Sequence, residues 1–155
     1  MKALLKFLWF PALILAVTLG WLWLDRAMGW RGLHRPWTGR ILVFLGLALT
    51  SWCSILFRRI GKGTPHPFVA KTRHLVTSGP YRFTRNPMMW GVGTIIVGLA
   101  LWLGSVGLWF GIGMFIVFVH LFIPYYEEPD MERRFGEEYR EYCRQVPRWW
   151  PHFHT

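Results

Sequence analysis

The chain has 155 residues, 53% of them hydrophobic with 11 Trp and 12 Phe, and a formal charge of +10. Such a composition excludes an ordinary soluble domain of this size and points to a membrane protein. The two cysteines, Cys53 in an apolar stretch and Cys143 in a basic tail, define neither a disulfide framework nor a metal site, and no metal is expected.

The first apolar stretch, residues 3–24, is interrupted only by Lys6 and Pro11. It is too long for a signal-peptide core, and Trp21-Leu-Trp-Leu-Asp25 offers no small-residue cleavage site, so it reads as a retained span. Residues 39–57 form a second span. The loop to Arg85 starts with a Gly/Pro-rich excursion, Gly61 to Pro67, and ends with a turn punctuated by Gly79-Pro80. Between Asn86 and Tyr126 there is no Asp, Glu, Lys or Arg, and His120 is the one imidazole. As a single helix this segment would extend about 60 Å, twice the hydrocarbon thickness of a bilayer. It therefore predicts a hairpin of two spans, 88–104 and 106–126, turning at Gly104-Ser105. Pro87 is expected at the start of the third span, and Pro129 at the start of an amphipathic helix over 129–142. In that helix Phe135 and Tyr139, like Glu138 and Tyr142, stand four residues apart and give an aromatic stripe.

The expected fold is all-α: a polytopic integral membrane protein, one domain over 1–155, with four transmembrane helices and a C-terminal cytoplasmic amphipathic helix. In that topology Arg26, Arg31, Arg35 and Arg40 lie on one side and the other Lys and Arg residues on the opposite side. The positive-inside rule then places both termini in the cytoplasm, at a bacterial-type inner or plasma membrane. The same rule accounts for the charge without nucleic acid, and leaves a basic surface facing anionic lipid headgroups.

A hairpin returns its ends to one membrane face, so Arg85-Asn86-Pro87 is expected to meet Glu127-Glu128. Two adjacent carboxylates at a span's end are costly to desolvate unless they hold something, although they also suit a helix start near the positive end of the macrodipole. Gly91-x-Gly93 and Gly107-x-x-x-Gly111 have a structural reading as close helix contacts, and the aromatic stripe has one as packing.

Gly79-Pro80-Tyr81-Arg82, Arg85-Asn86-Pro87-Met88 and Gly91, followed by Glu127-Glu128, Phe135-Gly136-x-x-Tyr139, Pro147-Arg148 and Pro151, resemble the isoprenylcysteine carboxyl methyltransferase and phospholipid methyltransferase superfamily in the same order. The resemblance covers residues 75–151. It implies S-adenosylmethionine as methyl donor, bound by Tyr81, Arg82, Arg85, Asn86, Pro87, Gly91, Gly93, Glu127, Glu128 and Tyr139. Catalytic roles are implied for Glu127, Glu128, Arg85 and Asn86. The implied acceptor is lipid-like, an aminophospholipid slightly ahead of an isoprenylcysteine-type carboxylate. Many members carry His at the position of Asn86 and Tyr at that of Met89, so a mechanism based on that imidazole or phenol does not transfer. The alternative is a membrane NADPH-dependent sterol or steroid-type reductase, since some of these resemble the superfamily in their C-terminal membrane region.

Overall fold

A computed structural model describes residues 16–63 and 72–150, and all regular structure among them is helical. Helix α1 covers 16–28; the remainder of the first expected span, 3–15, lies outside the described residues, as does most of the Gly/Pro-rich excursion. Helix α2, Pro36–Arg59, has 24 residues and rises about 36 Å. Helix α3, Pro87–Leu103, starts on the proline as expected, but its 17 residues rise only about 26 Å. Helix α4, Val106–Phe122, continues through a π-helical turn, Ile123–Glu127, into α5, Glu128–Phe135. That makes 30 residues of unbroken helix, so α2 and the α4–α5 rod are long and apolar enough to cross a bilayer, and α3 is a shorter apolar helix.

The π-turn follows from Pro124. Its ring nitrogen has no hydrogen to donate to the carbonyl four residues earlier, and the helix accommodates this by widening. The Glu128 N–H then bonds to the Ile123 carbonyl, five residues back. Pro129 therefore lies in the first turn of a continuing helix and does not open a new one. The expected single helix over 129–142 is instead two, α5 and α6 (Glu137–Gln145). Gly136 separates them with φ 54° and ψ −124°, backbone angles open essentially to glycine alone.

The chain forms two compact units. The first is Met1–Ala48 with Gly91–Ile116, the second Leu49–Trp90 with Val117–Thr155. In the first, α2 and α3 run antiparallel with their backbones in contact. A Cβ on Gly39 would lie 2.5 Å from the Trp102 nitrogen and 2.6 Å from the Gly98 carbonyl; one on Gly46 would lie 2.7 Å from the Gly91 carbonyl. Small residues at seven-residue spacing allow this approach. The hairpin turns where expected, with Gly104 at φ 63°. A Cβ on Gly107 would meet the Trp21 ring at 2.9 Å, so α1 packs on α4 there. Asp25 on α1 accepts hydrogen bonds from the Ser105 hydroxyl and, at 2.8 Å, the Gly107 N–H, while the Leu108 N–H bonds to Ser105 Oγ at 3.0 Å. These contacts satisfy donors that the first turn of α4 would otherwise leave orphaned.

The second unit is centred on two apolar clusters. One holds Cys53, Val76 and Tyr81 with Leu56, Phe57 and Met88; the other holds Leu75, Tyr139, Tyr142 and Val146 with Met131 and Phe135. The aromatic stripe of α5 and α6 thus packs inward.

Along α2, Trp37, Ile41 and Phe44 are exposed, and along α4 so are Phe110, Met114 and Phe118. Apolar side chains pointing outward from helices that satisfy their own backbone are what a lipid environment demands.

Candidate functional site

The site lies in the second unit and is built around Glu128. The π-turn ends there, and three charge-assisted hydrogen bonds converge on its carboxylate. Arg85 Nη1 donates to Oε1 at 2.9 Å, while Arg148 donates from Nε to Oε1 at 2.8 Å and from Nη2 to Oε2 at 2.6 Å. The Arg148 contact is a two-pronged fork, the geometry in which guanidinium and carboxylate match best. Two guanidiniums around one carboxylate leave the cluster with one net positive charge.

Main-chain contacts hold both arginines in place. The Arg85 N–H donates to the Pro147 carbonyl at 3.0 Å. The Thr84 hydroxyl and the Asn86 side-chain amide both donate to the Arg148 carbonyl, at 3.0 and 3.1 Å. Trp90 Nε1 donates to the Trp149 carbonyl at 3.0 Å. The segment opening α3 is thereby stapled to the one following α6. Within the same unit the Tyr142 hydroxyl donates to the Tyr81 carbonyl at 2.8 Å.

Arg85, Glu128, Glu132, Tyr139, Arg140, Cys143 and Arg144 line a cleft of about 440 Å³, with Pro124 and Pro129 at its wall. Inside it Arg85 Nη1 also lies 2.8 Å from Cys143 Sγ. Among the described residues, Arg85 Nε is buried without a hydrogen-bond partner. Burial first, and then the Glu128 carboxylate, push the Tyr139 phenol well above its usual range, so it remains protonated and available as a donor. Burial does the same for Tyr142. On the rim, Arg140 pairs with Glu132 at 2.6 Å and Arg144 with Glu137 at 2.8 Å.

The residues singled out from sequence occupy distinct places. Arg85, Glu128 and Tyr139 meet at the cleft. Glu127 is half-buried beside Glu128, and among the described residues no cation pairs with it. The Asn86 amide holds the Arg148 carbonyl. Tyr81 and Pro87 are buried, and Arg82 is exposed. Gly91 and Gly93 belong to the first unit: the Gly91 carbonyl faces Gly46, and a Cβ on Gly93 would make only an ordinary 3.5 Å contact with Phe115. Sequence reasoning gave no role to Arg148, Cys143 or Thr84. Arg148 had a signal, since it stands in the Pro147-Arg148 pair of the ordered motif. Another residue it passed over is His120, whose ring stacks on Trp149 with centroids 4.9 Å apart.

Helices with outward apolar faces, carrying a cage of two arginines and one glutamate at the end of a membrane-length rod, define an all-helical integral membrane protein with a polar site at a span's terminus. The family model for phospholipid methyltransferases matches residues 34–138. The chain belongs to that family, and it is a membrane methyltransferase of the phospholipid and isoprenylcysteine type. It is also similar to an uncharacterized protein of Haemophilus influenzae (strain ATCC 51907 / DSM 11121 / KW20 / Rd), 40% identical over 55 residues, 36% of this chain and 87% of that protein. No solved structure matches it.

Proposed function

We propose that the protein is an S-adenosylmethionine-dependent methyltransferase acting on a lipid-like acceptor at the cytoplasmic membrane surface, with an aminophospholipid ahead of a prenylated thiol carboxylate. The observation that carries this reading is the Arg85–Glu128–Arg148 cage opening on the cleft. Members of the family generally use this cofactor, and the donor set here fits it. The cage has one positive charge in excess and a buried, unpartnered Arg85 Nε, which suits the cofactor's carboxylate. Glu127, next to Glu128 in the chain and with no cation paired to it among the described residues, suits its ammonium or ribose hydroxyls. Tyr139 offers a protonated hydroxyl and an aromatic face. When bound, the cofactor supplies an electrophilic methyl group.

The protein's own work is positioning and proton handling. An ammonium acceptor must lose a proton before it is a nucleophile, and in this reading the Glu127 carboxylate receives it. A span terminus lets the acceptor's tail stay in lipid while its head reaches the cleft, which aligns the two reactants without loss of membrane contact. The topology that goes with this reading has four spans, 3–24, 39–57, 88–104 and 106–126, and both termini in the cytoplasm, supported by the asymmetry of Lys and Arg.

The test is transfer of labelled methyl from S-adenosylmethionine to a total lipid extract by the detergent-purified protein. An N-methyl amine survives mild base; base-labile, volatile label would instead identify a methyl ester and exclude the amine. Absence of any labelled lipid would overturn the lipid-acceptor reading. S-Adenosylhomocysteine should raise the melting temperature and NADPH should not; the reverse result would favour a reductase.

A further inference from the structure

The end of α2 carries a second polar feature, unconnected with the cleft chemistry. Arg58 and Arg59 close the helix, Lys62 follows at φ 49°, and all three are exposed. The chain then returns so that the Arg73 and His74 N–H groups both donate to the Gly61 carbonyl, at 2.7 and 3.4 Å. The main chain thereby brings Arg73 beside the end of α2. A Cβ on Gly61 would lie 2.8 Å from both the Phe57 carbonyl and Thr72 Cγ2, so only glycine admits the returning segment. Arg134 fixes Thr72 from the other side, bonding to its carbonyl and, at 3.2 Å, to its hydroxyl.

Four like charges at one helix end repel, and the sequence places no acidic residue beside them in the chain. Its eight Asp and Glu residues are Asp25 and the run from 127 to 141. Those forming ion pairs are paired with Arg85, Arg133, Arg134, Arg140, Arg144 or Arg148. Among the described residues, Arg58, Arg59, Lys62 and Arg73 have no carboxylate partner. The negative end of the α2 dipole offsets only part of that charge. One to two turns back along α2, Trp52 and Ile55 are exposed and apolar, about 5–10 Å from the cations along the axis. The cluster therefore lies where a lipid-facing helix surface gives way to charge, at the depth of headgroup phosphates.

We infer that Arg58, Arg59, Lys62 and Arg73 form a binding site for the phosphodiester headgroup of an anionic phospholipid, whose acyl chains lie along the exposed apolar face of α2. The partner is a lipid and not a soluble anion because the site continues directly into that apolar face. Clusters of this size beside a span gain about fivefold in affinity per basic residue at low salt.

The experiment is native mass spectrometry of the detergent-purified full chain, titrated with phosphatidylglycerol or with phosphatidylcholine of the same acyl chains. The wild type should retain phosphatidylglycerol preferentially, and the preference should fall as ionic strength rises. The triple variant R58Q/R59Q/K62Q should lose it by about a hundredfold at low salt. A charge-matched variant before α2, R26Q/R31Q/R35Q, should keep it. Equal retention of the two lipids, a salt-independent preference, or equal loss in both variants would overturn the inference. Displacement of phosphatidylglycerol by inorganic phosphate at matched concentration would also overturn it, in favour of a soluble-anion site. The single variants R58Q, R59Q and K62Q, each at an exposed side chain, should each lose about fivefold, and unchanged preference in all three would overturn the inference even if the triple variant folds poorly.

Discussion

Replacing Glu128 with Gln perturbs the cage at its centre. From sequence alone, a carboxylate that only contacts ligand could be replaced at little cost to the ligand-free protein. The structure leads to a different expectation, because three hydrogen bonds from two guanidiniums end on this group. Glutamine keeps one acceptor oxygen, turns the other acceptor into a donor facing Arg148, and removes the charge that both arginines share. Removing one partner of a buried ion pair costs about 3–5 kcal/mol. Arg148 is 37% exposed, so water recovers part of its share. Arg85 at 14% and Glu128 at 16% are shielded, and about 2–3 kcal/mol remains after the discount. For a chain of this length that corresponds to a fall in Tm of about 5–10 °C. Thermal scanning of ligand-free wild type, E128Q, R148Q and the double variant in one detergent measures it. The double variant should fall by less than the sum of the singles, because both substitutions break the same network. A Tm for E128Q within about 1 °C of wild type would refute the cage as a structural brace.

Helix packing and pH give two further tests. Gly39→Ala places a methyl 2.5 Å from backbone and should destabilise the protein by about 1–3 kcal/mol, whereas Gly113→Ala, with nothing within 4 Å, should be neutral or slightly stabilising; melting curves compare them. Hydrogen bonds from Arg144, and then from Arg140, hold the exposed Glu137 carboxyl below its ordinary value of 4.5, and bonds from Arg144 and then Gln145 do the same for Glu141. A depressed folded-state value stabilises above the unfolded value and is lost as pH falls through the folded one. Backbone amides of α6 should therefore exchange faster, after correction for intrinsic rates, below about pH 4 and not between pH 6 and 8.

The hairpin was legible because an uncharged stretch too long for one span allows few alternatives, and Gly104-Ser105 marked its turn. The meeting of Arg85 with Glu128 followed from the same geometry. Other features were hidden because they depend on three-dimensional proximity between distant residues. Nothing local announces that Arg148, twenty residues past Glu128, folds back onto it. Gly39, Gly46 and Gly98 are visible as small residues, but which pairs touch depends on the register of two helices. Asp25 left a trace, as the single acidic residue before Glu127, yet its role in capping α4 requires the partner helix to be in place. Gly136 reads in the sequence as part of a motif and not as a break, because one glycine in a charged helical pattern is often tolerated.

The π-turn before Glu128 shows that the register of the site depends on the number of residues as well as on their identity. Each helical residue advances the direction of a side chain by about 100°. Deleting one residue between Ile123 and Glu128 would turn their five-residue hydrogen bond into an ordinary four-residue one, so Glu128 would keep its direction toward both arginines. One codon lost in this segment should therefore be absorbed, as small length changes in an open surface loop are, whereas one gained would rotate Glu128 by about 100° and be as damaging as its substitution. A survey of spontaneous in-frame indels would find insertions in this turn excluded and single-codon deletions kept, although it is formed in part by Tyr125 and Tyr126, both exposed.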